Sequence, residues 1–349
     1  PGTADGRQNY FRTRDINRDN RTLVGRLDHN FSQSHRLFFR ANNNQYDNKA
    51  QTMPTIAVGD ITDRTGYGMV LDDVYVFNPQ LLLNVRYGVT YQNQIVSRYS
   101  QGFDLLSLGF PQSLLTEIRT KNNPAGIAFP VVVVDGSAYT DLGDNGGNTY
   151  TTYYHTWAAT VTKISGDHSL RLGGEYRLMR ENGYGFGNVA PRLEFGITWT
   201  RGPMDNSPGA PIGQGLASML LGLPTGGRIN TNASRAEQSS FTSWYIQDDW
   251  RATPRLTLGL GLRYEYEGPT TERFNRTIRG FDFQSTSPIT AQAAANYAKS
   301  PIAEVPPANF RTVGALLFAG AGGQPRGLWN ADKNNFAPRV GLAYQLHAK

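Results

Sequence analysis

The chain has 349 residues, no cysteine, 38 glycines and 19 prolines, with 39% hydrophobic and 11% aromatic residues and a mean hydropathy of −0.46. That hydropathy is low for a chain of this length with a dry core, while the aromatic content is too high for a disordered one. Lack of cysteine excludes disulfides, thiolate metal ligands and a thiol nucleophile, and the basic residues behind the net charge of +6 are scattered singly, which argues against a nucleic-acid partner.

No apolar run reaches the roughly 18 residues of a membrane helix; AFPVVVV and LASMLLGLP come nearest. Period-two alternation recurs instead. In chain order, RTLVGRLDHNF (21–31) and RLFFRANNNQY (36–46) are joined by SQSH, and GMVLDDVYVF (68–77) and LLLNVRYGVTYQN (81–93) by NPQ. HTWAATVTKI (155–164) and HSLRLGGEYRLM (168–179) are joined by SGD, and FTSWYIQDDWR (241–251) and RLTLGLGLRYEYE (255–267) by ATP. Each pair reads as a hairpin of strands about ten residues long. A ninth strand is expected over 336–346.

The connections between hairpins are of another kind. They span 47–67, 94–154, 180–240 and 268–335, rich in Gly, Asn, Pro and Thr. In an antiparallel meander, alternate connections lie at opposite ends, so all short turns fall at one end and all long loops at the other. Outer-membrane barrels have this asymmetry. Within the third loop, 192–199 and 226–235 are candidates for an extra hairpin, which raises the strand count from nine to eleven. GQGLASMLLGLP and TAQAAANYAK are candidates for short helices.

Each strand has two unlike faces. Leu81, Leu83, Val85, Tyr87, Val89 and Tyr91 oppose Leu82, Asn84, Arg86, Gly88, Thr90 and Gln92. Leu256 to Leu262 at every second position, continued by Tyr264 and Tyr266, oppose Thr257, Gly259, Gly261, Arg263 and Glu265. A soluble sandwich alternates too, but a tilted strand crossing a bilayer needs about 9–11 residues, against the usual five or six in soluble domains. Phe31, Phe77 and Trp250 near short turns, with Tyr87, Tyr91, Tyr264 and Tyr266 toward the loops, have the placing of two membrane-interface aromatic girdles. Arg86, Arg171, Glu175, Arg263, Glu265 and Arg339 are the candidate lumen-lining residues. Phe38, Val24 and Val70 interrupt polar faces, and consecutive Asp72 and Asp73 put one carboxylate on the lipid side unless the strand is bulged there or lies beyond the hydrocarbon.

No catalytic constellation stands out. The five histidines, His29, His35, His155, His168 and His347, are not closely spaced on any one element, so no metal site is expected. DLGDNGGN (141–148) lacks the calcium-loop pattern and reads as a solvated turn. Neither a cofactor nor covalent chemistry is expected.

SWYIQDDWRATPRLTLGLGLRYEYEGP resembles a barrel hairpin of TonB-dependent receptors, in particular the Oar-like group common in acidobacteria. LVGRLDHNFSQSHRLFFRANNN, NNFAPRVGLAYQL and LASMLLGLP resemble further segments of the same barrel, and the resemblance extends from about residue 9 to 346. It implies an all-β, antiparallel up-and-down transmembrane β-barrel of 22 strands in the bacterial outer membrane, plugged by an N-terminal domain and driven through TonB. Residues 1–349 are then a single barrel region of about 9–11 strands, with the plug domain and final strands absent. The implied function is transport of a bulky ligand, with outer-membrane lipid and the TonB complex as partners. The alternatives are a non-transporting surface or adhesive barrel and a soluble β-sandwich that binds carbohydrate.

Overall fold

Where leucine, valine and tyrosine alternate with arginine, threonine and glycine, the chain is extended, because only a pleated strand sends the two sets to opposite sides. A computed structural model describes residues 10–11, 13, 16–51, 53–137, 139–144, 146–202 and 213–346. In chain order the strands are β1 (Asn17–Asn30), β2 (His35–Ala50), β3 (Asp60–Asn78), β4 (Leu81–Arg98), β5 (Val131–Val134), β6 (Asn148–Ser165), β7 (His168–Gly185), β8 (Arg192–Phe195) and β9 (Gly226–Arg228). They continue as β10 (Arg235–Thr253), β11 (Leu256–Glu267), β12 (Thr271–Glu272), β13 (Ile278–Thr286), β14 (Val313–Phe318) and β15 (Phe336–Tyr344). Three α-helices, α1 (Gln112–Lys121), α2 (Gln214–Leu220) and α3 (Thr290–Tyr297), lie in the long connections.

The nine expected strands form one antiparallel sheet in the order β1-β2-β3-β4-β6-β7-β10-β11-β15, with β12 added beside β10. The sheet is not closed: β1 and β15 are its outermost strands. Hairpin neighbours pair as the sequence pattern requires, from Asn30↔Arg36 in the first to Thr253↔Leu256 in the fourth. In the third hairpin Gly166 has φ 58°, and that left-handed turn lets Ser165 pair directly with His168.

Every strand of the main meander but β15, which has 9 residues, runs longer than the expected ten. β3 and β10 have 19 residues each, and β4, β6 and β7 have 18 each. The extra length lies toward the long connections, the first three of which shrink to 51–59, 99–147 and 186–234, while the fourth keeps its expected bounds of 268–335. Alternation fades there because both faces are polar, as in the NNNQYDNKA end of β2, so pairing continues where the sequence pattern no longer reports it.

The expected extra hairpin is present in reduced form and outside the main sheet. β8 pairs antiparallel with β9 and parallel with β5 in a separate three-stranded sheet, while Arg235 already belongs to β10. Both expected helices form, as α2 and α3; α1 and the β13–β14 hairpin were not foreseen.

The buried apolar cluster is not in the main sheet. Leu105, Leu115, Ile118 and Ile127 of one long connection pack with Phe186, Val189 and Ala190 of the next. Asn232 fastens the two, donating from Nδ2 to the Phe186 carbonyl at 2.6 Å and from its backbone N–H to Asn122 Oδ1 at 3.3 Å. The connections on this side therefore form a folded layer with a core of its own.

Candidate functional site

Register decides which side chains share a face of the main sheet. Cross-strand partners place Arg86, Arg171, Glu175, Arg263, Glu265 and Arg339 all on one side, the charged face. Asp72, between β2 and β4 on this face, is buried. It accepts from Arg86 Nε at 2.5 Å and Asn84 Nδ2 at 3.0 Å. Glu175 pairs with Arg177, and Arg263 Nη2 lies 2.6 Å from Glu265 Oε1. Phe38, which breaks the polar pattern, lies under the Arg26 guanidinium, whose Cζ is 4.2 Å from the ring centroid.

One stretch of this face is not neutralised. Arg171, Gln247, Gly261 and Arg339 form a single row across β7, β10, β11 and β15. With no side chain at Gly261, the row encloses a cavity of about 220 Å³, to which Arg263 also contributes. Among the described residues neither Arg171 nor Arg339 meets a carboxylate. Two guanidinium groups flanking a gap favour an anion, which they can grip through paired N–H groups.

The opposite face carries Leu172, Ile246, Leu260, Val340 and Leu342, all exposed. A contiguous apolar surface of this extent is not stable in water. Most of its aromatic residues fall into two bands, with Phe39, paired with Leu71, between them. Near the short turns, Phe31 stacks on His35 at 4.7 Å, Tyr75 touches Phe77 at 4.7 Å, and Trp250 stacks on His168 at 5.4 Å. Toward the long connections, Tyr67–Tyr91–Tyr153, Tyr87–Trp157–Tyr176 and Trp244–Tyr264–Phe336 run as three cross-strand ladders with neighbouring centroids 4.8–5.7 Å apart.

Tyr75 and Tyr67 of β3, one in each band, are about 26 Å apart along the strand at about 3.3 Å per residue. All seven aromatics singled out from the sequence lie in or beside these bands: Phe31 in the first turn and Phe77, Tyr87, Tyr91, Trp250, Tyr264 and Tyr266 on the apolar face. Tyr87 and Tyr91 sit in mid-strand rather than at a strand end, because β4 continues to Arg98. Tyr67, Tyr153, Trp157, Tyr176, Trp244 and Phe336 were missed; the pairing register of neighbouring strands is the signal that finds them.

Asp73, the other member of the Asp72–Asp73 pair, does lie on the apolar face, and β3 is paired without a bulge there. His35 Nε2 meets its carboxylate at 2.8 Å. At the long-connection end, Glu272 is buried and accepts from the N–H groups of Ala236, Phe274 and Arg276 at 3.2, 2.8 and 3.1 Å. Burial pushes its carboxyl up, but these three donors and the Arg276 charge outweigh that and hold it below the ordinary glutamate value. The expected metal-free reading of the histidines involves His347, which lies outside the described residues.

A single sheet of long antiparallel strands, apolar with aromatic bands on one side and charged on the other, is the wall of a membrane β-barrel. The chain belongs to the outer membrane beta barrel domain family, whose family model matches residues 1–349. It is accordingly a protein of the bacterial outer membrane. No curated protein matches its sequence. Among solved structures it is similar to the Escherichia coli outer membrane transporter YddB, with 10% identity and a TM-score of 0.43 over 74% of this chain and 29% of that one. It is also similar to the ferric-catecholate import receptor Fiu of E. coli K12. The closed form gives 12% identity and a TM-score of 0.43, covering 95% of this chain and 42% of that one. The open form gives 11% and 0.43, covering 95% and 45%. The chain spans less than half the length of these structures.

Proposed function

We propose that the chain is one arc of the barrel wall of a TonB-dependent, Oar-like transporter that moves a bulky ligand across the outer membrane. In this reading the apolar face meets lipid between the two aromatic bands and the charged face lines the lumen. The long connections capture ligand outside the cell. A plug domain and further strands belong to the rest of the protein, since the free edges of β1 and β15 need partners within a bilayer. The observation that carries the reading is the strict alternation of short turns and long connections, combined with charge concentrated on one face, where the exceptions opposite, such as Asp73 and Asp248, stand near the ends of the apolar face beside histidines. Short turns then face the periplasm, and the connections build a folded layer on the outer side. Covalent chemistry has no part in it.

The lumen row of Arg171, Gln247 and Arg339 around Gly261 suits either an anionic part of the ligand or an acidic surface of the plug. The soluble sandwich is disfavoured because, among the described residues, no second sheet packs on the apolar face of the main sheet.

Energy-dependent uptake tests the proposal. Cells expressing the full-length protein are given labelled ferric siderophores, oligosaccharides or peptides, with and without functional TonB. Uptake of one class that disappears without TonB supports transport. A protein that reaches the outer membrane but changes no uptake favours the non-transporting surface barrel.

A further inference from the structure

The largest cavity described lies on the apolar side of the sheet, where the aromatic ladders give way to the long connections. It measures about 680 Å³, within the roughly 300–1,000 Å³ of small-molecule sites. Its floor is Tyr153 and His155 of β6. Its walls carry three arginines: Arg180 from β7, and Arg273 and Arg326 from the 268–335 connection. Register puts Tyr153 and Gln238 on either side of Arg180, all on the face that carries Trp157, Tyr176 and Trp244. The short β12, paired with β10 at Gln238↔Thr271, and the Arg273 N–H bond to the Ala236 carbonyl at 2.8 Å bring the connection alongside this face.

The charge here is one-sided. Arg180 Nε donates to Gln238 Oε1 at 2.9 Å. Arg326 donates to Asn275 Oδ1 at 3.0 Å and to the Glu272 carbonyl at 3.1 Å. These acceptors are neutral, so they fix the guanidinium groups without cancelling them. Among the described residues the Arg273 side chain has no polar partner. The one carboxylate on the lining, Glu237, belongs to the Glu181–Glu237–Glu272 row, whose side chains alternate to the charged face.

We propose that this cavity binds the phosphate-bearing headgroup of an outer-leaflet lipid, with Arg180, Arg273 and Arg326 as the phosphate ligands. The inference rests on the assignment of the apolar face to lipid and of the long connections to the outer side. Under it the cavity sits at headgroup depth. Tyr153 and His155 cover the first part of the acyl chains, which continue down past Leu178 and Val89, and the guanidinium groups stand where lipid phosphates lie. Arginine grips phosphate through two N–H groups at once, and three of them around one cavity exceed what a single free anion needs.

The test uses the full-length protein in phosphatidylcholine nanodiscs containing either a bis-phosphorylated disaccharide lipid or its dephosphorylated counterpart. Lipid retained after detergent washing is counted by native mass spectrometry. The expected result is selective retention of the phosphorylated lipid, falling about tenfold when Arg180, Arg273 and Arg326 are all changed to Gln. Arg273→Gln alone is expected to lower it severalfold. Because that side chain makes no polar contact among the described residues, it decides the matter if the triple variant misfolds. Equal retention by wild type and variants overturns the proposal. So does complete displacement by millimolar inorganic phosphate, which assigns the cavity to a free anion.

Single-cysteine spin labels at Ala158 and Ala159, adjacent residues on opposite faces of β6, separate the two levels of inference. Lipid exposure at 159 but not 158, without selective retention, defeats the headgroup site and leaves the face assignment standing. Lipid exposure at 158 instead defeats both.

Discussion

His35 and Asp73 meet on the apolar face at 2.8 Å, and the same arrangement recurs four strands further along the sheet, where His168 Nδ1 lies 2.6 Å from Asp248 Oδ2. In both cases the histidine opens the strand after a short turn. The aspartate sits on the next strand, two residues before an aromatic that faces the histidine, Tyr75 or Trp250. A carboxylate on a lipid-facing surface is costly without a donor, and the repeat supplies one at the same depth on both sides of β4 and β6.

His168→Ala is expected to destabilise the barrel by about 1–3 kcal/mol, because among the described residues Asp248 then keeps no side-chain partner. Urea unfolding of the full-length protein in vesicles measures it. His168→Gln, which retains a donor, is expected to recover part of the loss, and His168→Ala combined with Asp248→Ala most of it. A loss in the double variant as large as in the single one would show that the pairing is not the cause.

The two faces of β6 predict opposite responses to the same substitution. Val161 lies between Leu83 and Leu172, and Thr160 between Asn84 and Gly173. Val161→Arg is expected to cost about 2–4 kcal/mol near the bilayer midplane, and Thr160→Arg less than about 1 kcal/mol. Folding yield into vesicles and heat-dependent gel mobility report the difference. Similar penalties at both positions would overturn the assignment of the faces.

The nine strands of the wall were legible because lipid on one side imposes a strict period of two, and the turn residues punctuate it. What lay beyond the bilayer was not. NNNQYDNKA is polar on both faces, so its place in β2 depends on pairing with β3 rather than on pattern. QSLLTEIRTK carries too few apolar residues to announce α1, whose Leu115 and Ile118 are buried in a cluster completed by Phe186, Val189 and Ala190 from a different connection. The lumen candidates were found by alternation, but their pairing was not: Glu175 joins Arg177 on its own strand rather than Arg171. The His35–Asp73 contact spans 38 residues of sequence and becomes visible only once the register of β2 on β3 is known.

Asp72 and Arg86 give the charged face its most buried ion pair. Arg86→Ala is expected to cost about 2 kcal/mol, since Asn84 alone then answers a buried carboxylate. Asp72→Ala is expected to cost less, because Arg86 is half exposed and regains water. Chemical denaturation of the two variants checks the order, and a larger loss for Asp72→Ala would mean that the carboxylate is not the group held at a cost.

Glu272 predicts how the 268–335 connection responds to acid. Its carboxyl is held below the ordinary glutamate value of 4.5 by the N–H groups of Ala236, Phe274 and Arg276. A group whose pKa is lowered by folding adds stability above its unfolded pKa. That stability drains away as pH falls from about 4.5 through the folded value. Protonation weakens all three bonds at once and frees the start of the connection from β10. Amide hydrogen exchange at residues 271–276 is therefore expected to quicken as pH falls below about 4.5, after correction for the intrinsic pH dependence of exchange. In Glu272→Gln the same amides are expected to exchange faster at neutral pH and to show no further change in acid. Acid-dependent loosening that persists in Glu272→Gln would place the titrating group elsewhere.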